Sequence, residues 1–204
     1  MSATKRPGFG HPRRLVSQRG VTSVEVALLA VIFFTFVFGL IEVARLLFVY
    51  NTLHEVTRRA AVAAATVYPR DSLAMGRIRP HAIFRDAPGD LMLAPPVTDG
   101  HVRLDYLNST LAVIPQGSWP SDAATNKQVC MVNPRAANCI RFVQARICDP
   151  ETADECSVVR SQMMLPFIDL GVPLHRATTI ATVESLGYVP GTPPPDPPPV
   201  CPCP

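Results

Sequence analysis

From Val26 to Ile41 the chain reads VALLAVIFFTFVFGLI, 16 residues without a charge. A helix of that length covers roughly 24 Å at about 1.5 Å per residue, short of the roughly 30 Å hydrocarbon core of a bilayer. Extending it back to Val21 closes the gap and takes in one ionisable group, Glu25. After Ile41 the pattern changes without a break. The segment EVARLLFVYNTLHEVTRRAAVAAATV runs to Val67 with no glycine or proline, and Leu46, Tyr50, Leu53, Thr57, Ala60, Ala64 and Val67 recur at spacings of four and three. Such an a/d stripe suits packing on another helix or on the protein's own sheet. Pro69 stops it. The pattern therefore predicts one helix over residues 21–67, about 70 Å long at the usual rise, with a membrane half over about 21–41 and an amphipathic half after it.

Beyond Tyr68 the signals are shorter. Ser72 to Arg85 reads as a short helix weakened by Gly76 and Pro80, and β-rich runs follow at His101–Leu107, Ile140–Ile147 and Ala177–Ser185 with turn residues between them. The predicted fold class is α+β, with the outer half of the long helix packed on a small antiparallel sheet. Eight of the 22 prolines fall between Pro193 and Pro204. That composition predicts a disordered tail of extended polyproline II type that adds nothing to the core. The expected organisation is a leader over 1–20, the helix over 21–67, an exported α+β domain over 68–189 and a Pro-rich tail over 190–204.

Charge gives this arrangement a direction. Lys5, Arg6, Arg13, Arg14 and Arg19 stand in the leader with no acid, so the net charge of +3 hides a body that is slightly acidic. No basic surface interleaved with aromatics is legible, which argues against nucleic acid as a partner. Cations before an apolar span keep that side cytoplasmic and send the remainder across the membrane. The apolar stretch is too long for an ordinary secretory signal, and the nearest small-residue pattern, Ala63 to Ala65, lies beyond Arg58 and Arg59. Position alone leaves two readings of Glu25: a carboxylate kept in the membrane for a function, or one that snorkels to the headgroups. Glu42 and Arg45, three apart, can pair at the outer interface.

The residues Arg19, Gly20, Val21, Thr22, Ser23, Val24 and Glu25 resemble the class III signal of type IV pilin-like proteins. The resemblance implies cleavage by a prepilin peptidase between Gly20 and Val21, leaving Glu25 as the fifth residue of the mature chain. The freed α-amine is cationic near neutral pH, so a neighbouring subunit's carboxylate could pair with it and penalise wrong registers. With VEVALL around Glu25, and GLIEVARLLFVYNTLHEVTRRAA from Gly39 to Ala61, the segment is similar to the TadE-like family, minor pseudopilins of tight-adherence (Flp-type) pili. The family pattern falls here on Glu42, Arg45, Arg58, Arg59 and Ala60 to Ala65. It implies a non-catalytic factor of the bacterial inner membrane, single-pass, with its N-terminus cytoplasmic and its body periplasmic or extracellular. The implied partners are the prepilin peptidase, other pilin-like subunits of the Tad pilus, the inner-membrane assembly platform and membrane lipid. The alternative from a different class is an uncleaved, signal-anchored periplasmic binding or secretion-accessory module.

Four cysteines, Cys130, Cys139, Cys148 and Cys156, lie in the predicted body with no C-x-x-C among them, so disulfides are expected in an oxidising compartment. Cys130 with Cys139 and Cys148 with Cys156 would close two local loops; the set Cys130 with Cys148 and Cys139 with Cys156 remains the other candidate. Cys201 and Cys203 in the tail read as cross-linking groups, soft-metal ligands or merely oxidisable thiols. Enzyme chemistry is present only in fragments, and no cofactor or metal is expected. His54 and Glu55 begin an H-E-x-x-H pattern that fails at Arg58, and Gly8 and Gly10 begin a G-x-G-x-x-G pattern that fails at Arg13. The histidines at 11, 54, 81, 101 and 175 are scattered, and the sequon at Asn108 is a chance spelling.

Overall fold

The structure is a computed structural model that describes residues 19–152, 156–163, 171–174 and 177–191. Most of the leader and residues 192–204, with Cys201 and Cys203, lie outside the described residues, as do His11 and His175. The elements in chain order are α1 (Arg19–Ala65), α2 (Ser72–Ala82), β1 (Val102–Leu107), α3 (Ala123–Val132), β2 (Phe142–Ile147) and β3 (Thr178–Thr182). Single 3-10 turns stand at Asp99–His101 and Gln116–Ser118. The chain divides into two compact units at Ile41/Glu42.

In the first unit α1 exposes its large apolar side chains all round: Val24, Leu28, Ile32, Phe34 and Phe36 are each more than half exposed. Phe34 stacks on Phe38 at 6.1 Å between ring centroids, and Thr35 donates its hydroxyl to the Val31 carbonyl at 2.7 Å, which spares the polar group from needing an outside partner. A helix apolar on every face needs an apolar surrounding. It is long and apolar enough to cross a membrane, which suits a single-pass anchor.

In the second unit β1, β2 and β3 form an antiparallel sheet in that spatial order. β2 lies in the middle, pairing Ala145 with Leu104 on one side and with Thr179 on the other. Its alternation is clean: Val143, Ala145 and Ile147 are buried, while Phe142, Gln144 and Arg146 are half-exposed. On the outer face Arg103 stands directly opposite Arg146, a like-charge pairing that Asp105 relieves. Arg146 Nη2 lies 2.5 Å and Arg103 Nε 3.4 Å from its carboxylate.

The α1 residues of this unit supply the inner layer. Val49, Leu53, Val56, Ala60 and Ala61 join Val102, Ala145 and Ile147 in one core cluster, and Ala64 and Ala65 join Tyr106, Ile140 and Val143 in a second. The predicted α+β arrangement is thus the observed one. The small side chains of the last two turns let the helix backbone approach the strands, and the Thr57 hydroxyl meets that of Thr179 on β3 at 2.9 Å. Of the predicted stripe, Leu53, Thr57, Ala60 and Ala64 are buried whereas Leu46, Tyr50 and Val67 are only half-buried. The buried line runs instead through Glu42, Arg45, Val49, Leu53, Val56, Ala60 and Ala64.

The helix stops at Ala65, two residues before the predicted end. Pro69 restricts Tyr68, and Thr66 N–H and hydroxyl both bond the Ala63 carbonyl in a tighter turn. The short helix predicted after Ser72 forms as α2 despite Pro80. Asp71 caps it by accepting the Ala74 N–H at 3.0 Å, and Ile78, Pro80 and Ala82 are buried beneath it. Helix α3 has no counterpart among the predicted elements. Its cap signal was present in Asp122, whose carboxylate accepts the Thr125 N–H at 2.7 Å and is thereby held below the usual carboxylate pKa range.

Because Ala60 is fully buried against the sheet, Ala60→Leu is expected to lower the stability of the detergent-solubilised protein by about 1–3 kcal/mol through overpacking. Val62→Leu, on the exposed side of the same turn, should change it by less than about 0.5 kcal/mol. Thermal unfolding of the two variants checks the contrast.

Candidate functional site

The predicted processing and assembly residues sit in the first unit. Gly20 falls in the first turn of α1, and Glu25 lies one and a half turns further on, exposed among apolar neighbours. Among the described residues of this unit nothing covers the carboxylate.

Glu42 and Arg45 belong to the second unit, and their setting differs from an interfacial charge pair facing water. Arg45 Nε lies 3.0 Å from Glu42 Oε1, and the two side chains are only 5% and 9% exposed. The guanidinium also donates to the Leu93 carbonyl at 2.9 Å and to the Gln162 carbonyl at 2.5 Å. These two segments are themselves joined by the Gln162 N–H and the Pro95 carbonyl at 3.2 Å. Arg45 therefore ties the loop before β1 and the segment after Cys156 to α1, using the rigid multiple-donor geometry that lysine lacks. Sequence spacing revealed the pair but not these carbonyls, which come from 48 and 117 residues away.

One turn further along α1, Phe48, Thr52 and Glu55 form one wall of a cavity of about 880 Å³, with Phe84, Leu91 and Met92 on the other. Phe48, Phe84 and Met92 are 48%, 53% and 76% exposed, an apolar surface larger than scattered single residues would give. Phe84 holds its ring outward from a left-handed backbone (φ +63°), a conformation costly for a non-glycine residue. The Arg59 guanidinium stacks over that ring at 4.3 Å. Asp86 and Asp90 stand exposed on the rim. No spacing or motif in the sequence announces this groove, because two thirds of its lining comes from the segment between α2 and β1.

Of the remaining candidates, Cys130 is bonded to Cys139 and Cys148 to Cys156. Glu55 of the truncated zinc pattern is engaged by Arg58 at 2.8 Å and Arg59 at 3.4 Å, which holds its carboxyl below the usual range. Among the described residues no three histidine, cysteine or acidic side chains converge as metal ligands would. The Asn108 carboxamide oxygen accepts the N–H groups of Thr110 and Ala112 and so closes the turn after β1. His101 is buried, its Nδ1 accepting the Thr98 N–H at 3.0 Å, and burial pushes its pKa below the ordinary value against the pull of Asp149.

Comparison with known families finds that the model of the family described as TadE-like protein matches residues 20–62. The matched stretch takes in Gly20, Val21, Glu25, Glu42 and Arg45 and ends inside the core-forming part of α1. No curated protein and no solved structure matches the chain.

Two outcomes test this geometry. Arg45→Met should destabilise the protein by about 3–5 kcal/mol, because it takes the buried guanidinium away from Glu42 and the donor away from the Leu93 and Gln162 carbonyls; Glu42→Met/Arg45→Met, which also removes the buried carboxylate, should recover part of the loss in urea unfolding. For His101, the folded pKa lies below the unfolded value near 6.5, so the unfolded chain binds the proton first. The contribution of neutral His101 is then complete above about pH 6.5 and declines as the pH falls from there toward the folded pKa. Unfolding midpoints between pH 7.5 and 5 should show that decline, and His101→Gln should flatten it.

Proposed function

We propose that this chain is a membrane-anchored, non-catalytic pseudopilin that serves assembly of a tight-adherence (Flp-type) pilus or a related secretion apparatus. The observation that carries the reading is the TadE-like match over residues 20–62, which spans the processing signal, the apolar segment and the start of the body as one unit of sequence. Three further features support it: a helix apolar on all faces, a single carboxylate near its beginning, and an outer body closed by two disulfides of the kind an oxidising compartment preserves.

In this reading residues 1–20 remain cytoplasmic until a prepilin peptidase cuts after Gly20. Residues 21–41 hold the mature chain in the bacterial inner membrane, and the body is exported. Cleavage creates an ammonium group at Val21 beside the apolar helix. In a low-dielectric bundle an ammonium and a carboxylate attract strongly, while either alone is costly to bury. Glu25 of one subunit paired with the Val21 amine of its neighbour would therefore select one axial register among apolar helices that otherwise slide freely.

The deciding measurement is the N-terminal sequence and intact mass of protein recovered from its host's membranes. A chain beginning at Val21 is expected; one that retains residues 1–20 would move the assignment to an uncleaved anchor carrying an accessory module. Glu25→Ala should leave cleavage and insertion intact and still lower the number of assembled pili at least several-fold. Normal piliation would remove Glu25 from the mechanism.

A further inference from the structure

The apolar groove on α1 has a counterpart elsewhere in the same unit. At the C-terminal end of α3, Met131 and Val132 are 75% and 88% exposed, far more than side chains of their type gain by facing water. They are held firmly in that position. The adjacent Cys130 is bonded to Cys139, the Asn133 N–H bonds the Val129 carbonyl at 2.9 Å, and the Asn133 side chain accepts the Arg135 N–H at 3.0 Å. The result is a short, preorganised apolar projection with an exposed cation, Arg135, beside it.

Groove and projection stand at different ends of the α1 segment in this unit. The groove is built on the turns from Phe48 to Glu55. α3 hangs on the elements that close over the helix end: Tyr68 donates its hydroxyl to the Pro120 carbonyl, and the Leu186 N–H bonds the Ala65 carbonyl at 3.3 Å. A chain cannot seat its own projection in its own groove while this packing holds.

We infer that Met131 and Val132, with Arg135 beside them, seat in the Phe48, Phe84 and Met92 groove of a second copy of this chain. Charge selects this occupant. Asp86 and Asp90 stand exposed on the rim against one lining cation, Arg85, which donates to the Asp90 carbonyl at 2.8 Å; Glu55 is already engaged by two arginines, so the groove keeps an acidic excess, and the projection brings a cation. The contact is heterologous: a copy that offers its projection keeps its own groove free for another, so the interaction repeats head to tail and does not close in a pair. A projection of this size cannot bury the roughly 1,200–2,000 Å² of a stable interface. It acts between copies that a shared membrane already holds at high effective concentration. The inference does not depend on processing at Gly20, since cut and uncut chains carry the same groove and projection; its failure and that of the pseudopilin reading are read out separately.

The test uses full-length chains with Cys201→Ser/Cys203→Ser, reconstituted in vesicles of phosphatidylethanolamine and phosphatidylglycerol. Copies carrying Met92→Cys are mixed with differently tagged copies carrying Val132→Cys and oxidised with copper phenanthroline. A 92–132 adduct is expected at several times the yield of a collision baseline set by pairing Val132→Cys with Leu73→Cys, an exposed position outside the groove. Chains bearing both Met92→Cys and Val132→Cys should give a ladder of dimers, trimers and higher species. Asp86→Arg/Asp90→Arg should lower the adduct at least five-fold, and Arg135→Asp on the other copy should restore it. Peptide mapping of the Cys130 to Cys139 bridge confirms that each variant is folded. A 92–132 yield at the collision baseline, 92–92 and 132–132 adducts as abundant as 92–132, or indifference to charge reversal would each overturn the inference.

Discussion

A three-stranded sheet cannot bury its inner face by itself, and here the α1 segment beginning at Glu42 covers it. That constraint explains the composition of the segment. Val49, Leu53 and Val56 fill the wider space beside the loops that precede β1, and Ala60, Ala61, Ala64 and Ala65 allow a close approach where Tyr106, Ile140 and Val143 occupy the volume. Since protein interiors are close-packed, large residues on the sheet and small ones on the helix are complementary requirements. α1 is accordingly apolar on all faces before Ile41 and on one stripe after Glu42, because the two stretches meet different surroundings.

At the point where those two regimes meet, the chain places a buried ion pair. Burying an arginine and a glutamate costs several kcal/mol per ion unless each hydrogen bond is satisfied. Arg45 meets that condition by taking two backbone carbonyls in addition to Glu42. The pair therefore does more than neutralise charge at the start of the body. It makes the position of the Leu93 loop, and through it the wall of the neighbouring groove formed by Leu91 and Met92, depend on the α1 turn that carries Glu42 and Arg45.

The remaining exposed features are apolar and fixed in place. The large apolar side chains of residues 24–41 are exposed on all faces of α1, and Phe48, Phe84, Met92, Met131 and Val132 are exposed on the second unit. Phe48 is held by a helix, Phe84 by a left-handed backbone stacked under Arg59, and Met131 and Val132 by a disulfide-bounded helix end. Rigid apolar contacts lose little entropy on docking.

Periodicity and charge by themselves determined the long helix, its apolar first half, the α+β class and the approximate strands, because hydrophobic repeat and turn chemistry are local properties. The Gly20 to Glu25 spacing and the Glu42–Arg45 pair were legible for the same reason. Helix α3 carried only one local sign, the cap at Asp122. The a/d stripe was misplaced in part because a residue's facing is decided by where the sheet lies, so Val49 and Val56 are buried while Leu46 and Tyr50 are not. Only the tertiary structure decided the acceptors of Arg45, the groove at Phe48 and the outward projection of Met131 and Val132. All three join groups far apart in the chain, and a buried donor's partners are set by which backbone segments fold over it, a relation that no local pattern encodes.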